Sequence, residues 1–260
     1  RLAEPGEFTK RAFLNGRINL LEAEAVLDVI RAKTDLSLKF AMRQLDGELS
    51  KKISALREKI IKILASVEAS IDFPEEDINF QEDNALIDSI ENVIGELDSL
   101  IRESDTGVIL REGLLAVICG KPNVGKSTLL NALLRRERAI VTPIPGTTRD
   151  TIEESVNIKG IQIRLVDTAG ITETENLVEL DGISRTKKYI EDADIIIFLL
   201  DNSVPIEDDD IEIANLIKRS SNALVVINKI DLKERLKTEK INDILRDKSI
   251  IKICAKDKTG

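Results

Sequence analysis

Leu114-Leu115-Ala116-Val117-Ile118-Cys119-Gly120-Lys121-Pro122-Asn123-Val124-Gly125-Lys126-Ser127-Thr128 decides the fold. The six residues Leu114–Cys119 are all apolar, as a strand buried on both faces requires. A helical stretch is expected from Lys126 onward. Between strand and helix lies Gly-x-x-x-x-Gly-Lys-Ser, in the setting where a glycine loop cradles phosphate groups. The two glycines let the backbone curl so that successive N–H groups face phosphate oxygens. The helix that follows adds the positive end of its dipole. Lys126 is the candidate to bridge the β- and γ-phosphates, and the Ser127 hydroxyl is the candidate Mg²⁺ ligand. An accidental glycine turn would not need a strand on one side and a helix on the other.

Downstream, the pattern stays that of an α/β domain. Residues 161–166, 195–200, 223–227 and 250–254 are short aliphatic runs suited to a parallel sheet covered on both faces. Candidate helices lie near residues 126–136, 182–191 and 208–219. Residues 153–158 alternate apolar with polar and read as a half-buried edge strand. Upstream of Gly113 the character changes. Leu38, Met42, Leu45, Leu49, Ile53, Leu56, Ile60, Ile63 and Val67 step by three and four, which predicts one long amphipathic helix over residues 34–71. Asp72-Phe73-Pro74 should end it, because the residue before proline avoids helical backbone angles. Shorter stripes run over residues 86–101 and 20–30. Three striped helices imply a bundle, with a coiled-coil dimer as the competing arrangement. The expected organisation is a short leading segment at 1–18, an incomplete all-α domain at 19–112 and a mainly parallel α/β domain at 113–260.

Composition narrows the chemistry. With 260 residues, 42% hydrophobic and 33% charged, the chain is long enough for two cores. No apolar run approaches a membrane span. The start at Arg1 and the stop at Gly260 suggest a piece of a longer protein. Cys119 and Cys254 sit far apart in apolar stretches without metal-ligand spacing, which fits buried thiols in a reducing cytoplasm. There is no histidine, so imidazole triads and imidazole metal sites are excluded for these residues. A net charge of −9 argues against broad electrostatic nucleic-acid binding.

Further motifs follow the glycine loop in the order of a GTPase. Asp167-Thr168-Ala169-Gly170 closes a strand; its Asp can hold the Mg²⁺ water shell and the Gly170 N–H can reach a γ-phosphate. Asn228-Lys229-Ile230-Asp231 closes another, and a carboxylate there accepts from both N1–H and N2–H₂ of guanine. Adenine lacks that donor pair, so an unpaired carboxylate would penalise ATP. Cys254-Ala255-Lys256 stands where P-loop GTPases usually carry Ser-Ala-Lys, and a backbone N–H there would meet guanine O6. Thr142-Pro143-Ile144-Pro145-Gly146-Thr147-Thr148-Arg149-Asp150 occupies the place of switch I, where Thr148 would complete Mg²⁺ coordination. Proline and glycine would make a turn there in any case, but a bare turn gives Thr147-Thr148 no purpose. The fold expected is a Ras-like P-loop GTPase domain preceded by an all-α helical domain. Many GTPases orient the attacking water with Gln after Asp-x-x-Gly. Here Ile171 stands at that position and cannot hold water. Glu173, Glu175 and Glu179 are the nearby acids that could.

Several segments together resemble the MnmE (TrmE) family of tRNA-modification GTPases. They are Asn123 in the loop, Pro145-Gly146-Thr147-Thr148-Arg149-Asp150, Ile171, Val178-Glu179-Leu180-Asp181-Gly182-Ile183, Leu110-Arg111-Glu112-Gly113, and Pro5-Gly6-Glu7-Phe8-Thr9-Lys10-Arg11-Ala12-Phe13-Leu14-Asn15. The resemblance implies K⁺-activated GTP hydrolysis by G domains that pair across their nucleotides. The implied K⁺ ligands are the Asn123 side chain and the carbonyls of Thr142, Ile144 and Thr147. The implied water-positioning acid is Glu179, acting through a bridging water, with Lys126 and Thr148 as the other catalytic groups. Implied nucleotide contacts fall on 120–128, on Thr142 to Thr148 and Asp167 to Gly170, and on Asn228, Lys229, Asp231, Cys254, Ala255 and Lys256. The family also implies a homodimer, an FAD-containing MnmG-like partner and tRNA as the substrate of that complex. For a full-length chain it implies 5-formyltetrahydrofolate, bound by a preceding domain of which residues 1–18 would be the tail. Arg17 is the one candidate folate contact left. A GTPase switch in ribosome assembly is the alternative reading; an iron–sulfur maturation factor would need a cysteine cluster, which two isolated cysteines do not supply.

Overall fold

The computed structural model describes residues 1–72, 80–136, 153–167, 187, 189–237 and 239–260. It falls into two compact units, Arg1–Glu112 and Gly113–Gly260.

The first unit is helical: α1 (Glu7–Leu14), α2 (Leu20–Arg31), α3 (Asp35–Leu45), α4 (Glu48–Asp72) and α5 (Phe80–Glu112). The single helix predicted over residues 34–71 is two helices. The break falls at Asp46-Gly47, where Gly47 takes φ +76, a left-handed angle that ends helices and that side chains resist. Leu45 and Leu49 keep a spacing of four across the turn, so the apolar stripe alone does not reveal it. Starts are fixed by side chains. Asn19 accepts from the Glu22 backbone N–H while Glu22 accepts from the Asn19 N–H, and Thr34 with Ser37 repeats the box for α3. Asn19 Nδ2 also donates to Ser50 Oγ at 2.9 Å, joining α2 to α4. Arg111 Nε donates to Asp28 Oδ1 at 3.0 Å, joining α5 to α2. Residues 1–18, expected as the tail of a preceding domain, form α1, which packs against α2.

The second unit is a six-stranded sheet in the order β2-β3-β1-β4-β5-β6. Its strands are β1 (Leu114–Cys119), β2 (Glu153–Ile158), β3 (Ile161–Asp167), β4 (Ile195–Asp201), β5 (Ala223–Asn228) and β6 (Ser249–Lys252). Only β2 runs antiparallel, at the edge where its alternating sequence placed it. The other described pairings are parallel. The described helices beside it include α6 (Lys126–Arg136), α7 (Asp208–Ile217) and α8 (Glu239–Ile244). Alternate residues of β4 face opposite sides: Ile196, Phe198 and Leu200 join Ala214 and Ile217 of α7, while Ile195 and Ile197 face Leu130, Leu133 and Leu134 of α6. Two-sided burial explains why β1, β4 and β5 are continuous apolar runs; β3 is interrupted by Gln162 and Arg164, and β6, expected as a covered strand, is exposed along its length. The last strand was expected to reach Cys254 but ends at Lys252; Cys254 instead bridges Thr259 in a short antiparallel contact. Most of the helix expected near 182–191 lies outside the described residues.

Candidate functional site

Residues 120–125 leave the C-terminal end of β1, where α6 packs on one face of the sheet and α7, which follows β4, on the other. Open parallel sheets form ligand crevices at such a point. Gly120 has φ +147, and a Cβ there would collide with the Leu199 carbonyl of neighbouring β4. Gly125 has φ +100, and a Cβ there would collide with Asn228 Nδ2. Both positions need glycine for backbone angle and for close approach. Val124 is buried beneath the loop against Leu199 and Val226. Lys126 is buried too, and its Nζ donates to the carbonyls of Gly120 at 2.7 Å and Lys121 at 2.8 Å. Its ammonium is thus held beneath the mouth of the loop. Cys119, just below, has its thiol pushed up to about 12 by burial, against the opposing charge of Lys126, so it is an inert apolar filler.

The base-reading motifs meet the loop directly. Asn228 is buried; its Nδ2 donates to the Val124 carbonyl at 2.9 Å, and its Oδ1 accepts from the Ala255 N–H at 2.9 Å. One amide therefore ties together the three segments expected to surround a nucleotide. Lys229 Nζ donates to the Asn123 carbonyl at 2.7 Å. Asp231 is exposed, and the Cys254 thiol lies 3.2 Å from its Oδ1 and 3.4 Å from Asp257 Oδ2. A backbone hydrogen bond at Asp257 pulls the Cys254 thiol pKa down, but burial and the two carboxylates outweigh it and raise it overall. A protonated thiol can then donate to Asp231 and hold its carboxylate in place. The backbone N–H groups of Cys254 and Ala255 are both engaged, by Thr259 O at 2.8 Å and Asn228 Oδ1 at 2.9 Å. In this geometry neither is a spare donor for a base oxygen.

Charged groups on neighbouring elements complete the surroundings. Lys121, the loop's other lysine, pairs with Glu207 Oε2 and Asp210 Oδ2, each at 2.8 Å, at the start of α7. Burial works against its charge, but the two carboxylates overcome this and raise its pKa. It is an anchor for the loop, not a second phosphate lysine. Asp201, at the end of β4, accepts from Lys229. None of the three carboxylates, Glu207, Asp210 and Asp201, belongs to a recognisable motif, and the only sequence sign of Asp201 is an acid closing an apolar run.

Ser127 and Thr128 are exposed on the first turn of α6 and Asn123 is exposed at the lip of the loop. Hydroxyl and amide oxygens of this kind suit hard cations such as Mg²⁺ and K⁺. Asp167 closes β3, as the motif required. Lys256 is exposed. Arg17 is exposed beyond α1, with its backbone N–H bonded to the Ala12 carbonyl at 2.9 Å. Thr142, Pro143, Ile144, Pro145, Gly146, Thr147, Thr148, Thr168, Ala169, Gly170, Ile171, Glu173, Glu175 and Glu179 lie outside the described residues. No described helix is long and apolar enough to cross a membrane.

Comparison with known proteins places the chain in a family. The family described as the MnmE helical domain matches residues 20–260. The tRNA modification GTPase MnmE of Carboxydothermus hydrogenoformans is 58% identical over 232 residues, covering 89% of this chain and 50% of that protein. The protein of the same name from Alkaliphilus oremlandii is 52% identical over 260 residues, covering 100% of this chain and 56% of that protein. The chain thus spans about half the length of the curated relatives it matches. Among solved structures, Aquifex aeolicus Era bound to GDP.AlF4- has 33% identity and a TM-score of 0.41, over 56% of this chain and 52% of that one.

Proposed function

The chain belongs to the MnmE family, and from that premise we propose that it binds GTP at residues 120–128, hydrolyses it to GDP and serves tRNA wobble-uridine modification. The observation that supports this reading most is the joint between motifs. Asn228 and Lys229 bond the carbonyls of Val124 and Asn123, so the groups that would read guanine and those that would cradle phosphate form one unit.

In this reading Lys126 sits on the β- and γ-phosphates. Ser127 and Thr148 would hold Mg²⁺, with Asp167 supporting it, and the ion would supply positive charge to the phosphates. Asp231 accepts from the guanine edge. Bound cations would neutralise charge developing between the β- and γ-phosphates. Asn123, with the carbonyls of Thr142, Ile144 and Thr147, would hold K⁺ where other GTPases receive an arginine. Ile171 cannot orient the attacking water, so Glu179 does so through a bridging water, and two G domains pair across their nucleotides. The organisation proposed is a folate-domain tail at 1–18, a helical domain at 19–112 and the G domain at 113–260. The longer protein would act in the cytoplasm as a homodimer with an MnmG-like FAD protein and tRNA. It would use 5-formyltetrahydrofolate for a carboxymethylaminomethyl-type modification. A switch in ribosome assembly is the weaker reading, because the family match runs through the helical unit as well as the nucleotide unit.

The test is GTP turnover in K⁺ against Na⁺, with and without Glu179→Ala. Strong stimulation by K⁺, and turnover lost in Glu179→Ala while GTP still binds, are the expected results. Equal turnover in the two salts would overturn the potassium mechanism.

A further inference from the structure

β4 ends on Asp201, a buried carboxylate at the close of an apolar strand. Its two oxygens are divided between two tasks. Oδ1 accepts from the Ser203 backbone N–H at 2.8 Å and from the Ser203 hydroxyl at 2.7 Å, which fixes the carboxylate plane. Oδ2 accepts from Lys229 Nζ at 2.6 Å, a short charge-assisted bond. The same ammonium donates to the Asn123 carbonyl at 2.7 Å.

The residues joined by that ammonium share an unusual feature. Lys229 has φ 62 and Asn123 has φ 65, both left-handed angles that side-chain-bearing residues avoid. Such conformations persist where surrounding contacts over-determine them, and they cluster at ligand sites. Here the over-determining contact is one amine spanning both. A neutral carbonyl alone is a weak anchor for a long flexible lysine, whereas a buried carboxylate is a strong one. Register brings the anchor to the right place: Asp201 of β4 stands directly beside Asn228 of β5, the residue before Lys229. Burial disfavours a charged Asp201, yet the bonds from Lys229 and Ser203 outweigh this and hold its pKa below the ordinary value.

We infer that Asp201 is a positioning residue for guanine-nucleotide binding: it aims Lys229 so that its ammonium holds the Asn123 peptide and sets the spacing between base-reading motif and phosphate loop. The inference rests on the guanine-nucleotide reading of the site and adds to it a residue that lies in none of its motifs. Loss of Asp201 should weaken nucleotide binding only while Lys229 is present to be aimed.

A double-mutant cycle on fluorescent GDP affinity tests this, using Asp201→Ala, Lys229→Ala and the pair, with Tm recorded for each. The expected result is at least a tenfold rise in Kd for Asp201→Ala in the unsubstituted chain, but less than a twofold further rise when Lys229→Ala is already present. A merely structural role would cost the same in both backgrounds, and equal losses would overturn the inference, as would an unchanged Kd for Asp201→Ala. Should Asp201→Ala fail to fold, Asp201→Asn keeps the volume and carries the same comparison with the same criteria. Failure of the unsubstituted chain to bind GDP would overturn the guanine reading and this inference together.

Discussion

The helical unit and the nucleotide unit are built on different economies of burial. Among the described residues of the helical unit, the buried apolar side chains are Ala25, Ala41, Leu56 and Val93. The nucleotide unit buries Ile118, Leu165, Phe198, Leu199, Leu200 and Ile227 among many others, most of them nearly free of solvent contact. Ile53, Ile60, Ile94 and Ile101, all on the stripes that define α4 and α5, remain exposed. Apolar periodicity thus locates a helix and its face without ensuring that the face is covered. In the sheet, helices on both sides complete the burial within the unit. In the helices, capping boxes start α2 and α3, and half-exposed ion pairs tie α4 to α5.

Paired substitutions exploit this contrast. The largest difference should come from glycine to alanine. Gly120→Ala meets both a left-handed φ and the Leu199 carbonyl, so it should cost about 5 kcal/mol and eliminate nucleotide binding. Gly95→Ala lies inside α5 with nothing within 4 Å of the new Cβ, and should stabilise the helical unit by about 0.5–1 kcal/mol. Hydrogen exchange in urea reads the two units separately. Destabilisation by both substitutions would erase the contrast.

Next in size is truncation of large apolar side chains. Phe198→Ala removes a ring with no solvent exposure from the main core and should cost about 3–5 kcal/mol. Leu64→Ala removes a side chain 53% exposed and should cost less than about 1 kcal/mol, read by the same exchange measurement. Comparable losses would mean that Leu64 is covered in solution.

The smallest effect belongs to the polar ties of the helical unit. Lys59 Nζ lies 2.5 Å from Glu96 Oε1 between α4 and α5, with both side chains about half exposed. Solvent screening limits such a pair, so a cycle with Lys59→Met and Glu96→Gln should give a coupling below about 1 kcal/mol. A larger coupling, or one insensitive to salt, would show that this contact is more buried than its exposure indicates.

Much of the nucleotide unit was legible because its physics is local. The apolar run Leu114–Cys119, the two glycines and Lys126 each demand the conformation they adopt, and the alternation in residues 153–158 marked the edge strand. The end of α3 was less legible, since the Leu45 to Leu49 spacing carried the stripe straight across a turn whose only sign was Asp46-Gly47. Asp201 and Asp210 were not legible as parts of the site at all. Their roles arise from strand register and from the approach of α7 to the loop, which no local spacing encodes. The engagement of the Cys254 and Ala255 N–H groups likewise depends on Thr259 and Asn228, contacts that sequence motifs leave unspecified.

Asp231 bears the heaviest demand, because its carboxylate alone is asked to distinguish guanine from other bases. Equilibrium binding of GTP and xanthosine triphosphate to the unsubstituted chain and to Asp231→Asn puts that demand to the test. Guanine recognition predicts roughly a hundredfold or greater loss of GTP affinity in the variant, with a gain for the xanthine nucleotide whose edge can accept from the new amide. Unchanged GTP affinity in Asp231→Asn, with no gain for xanthine, would contradict it.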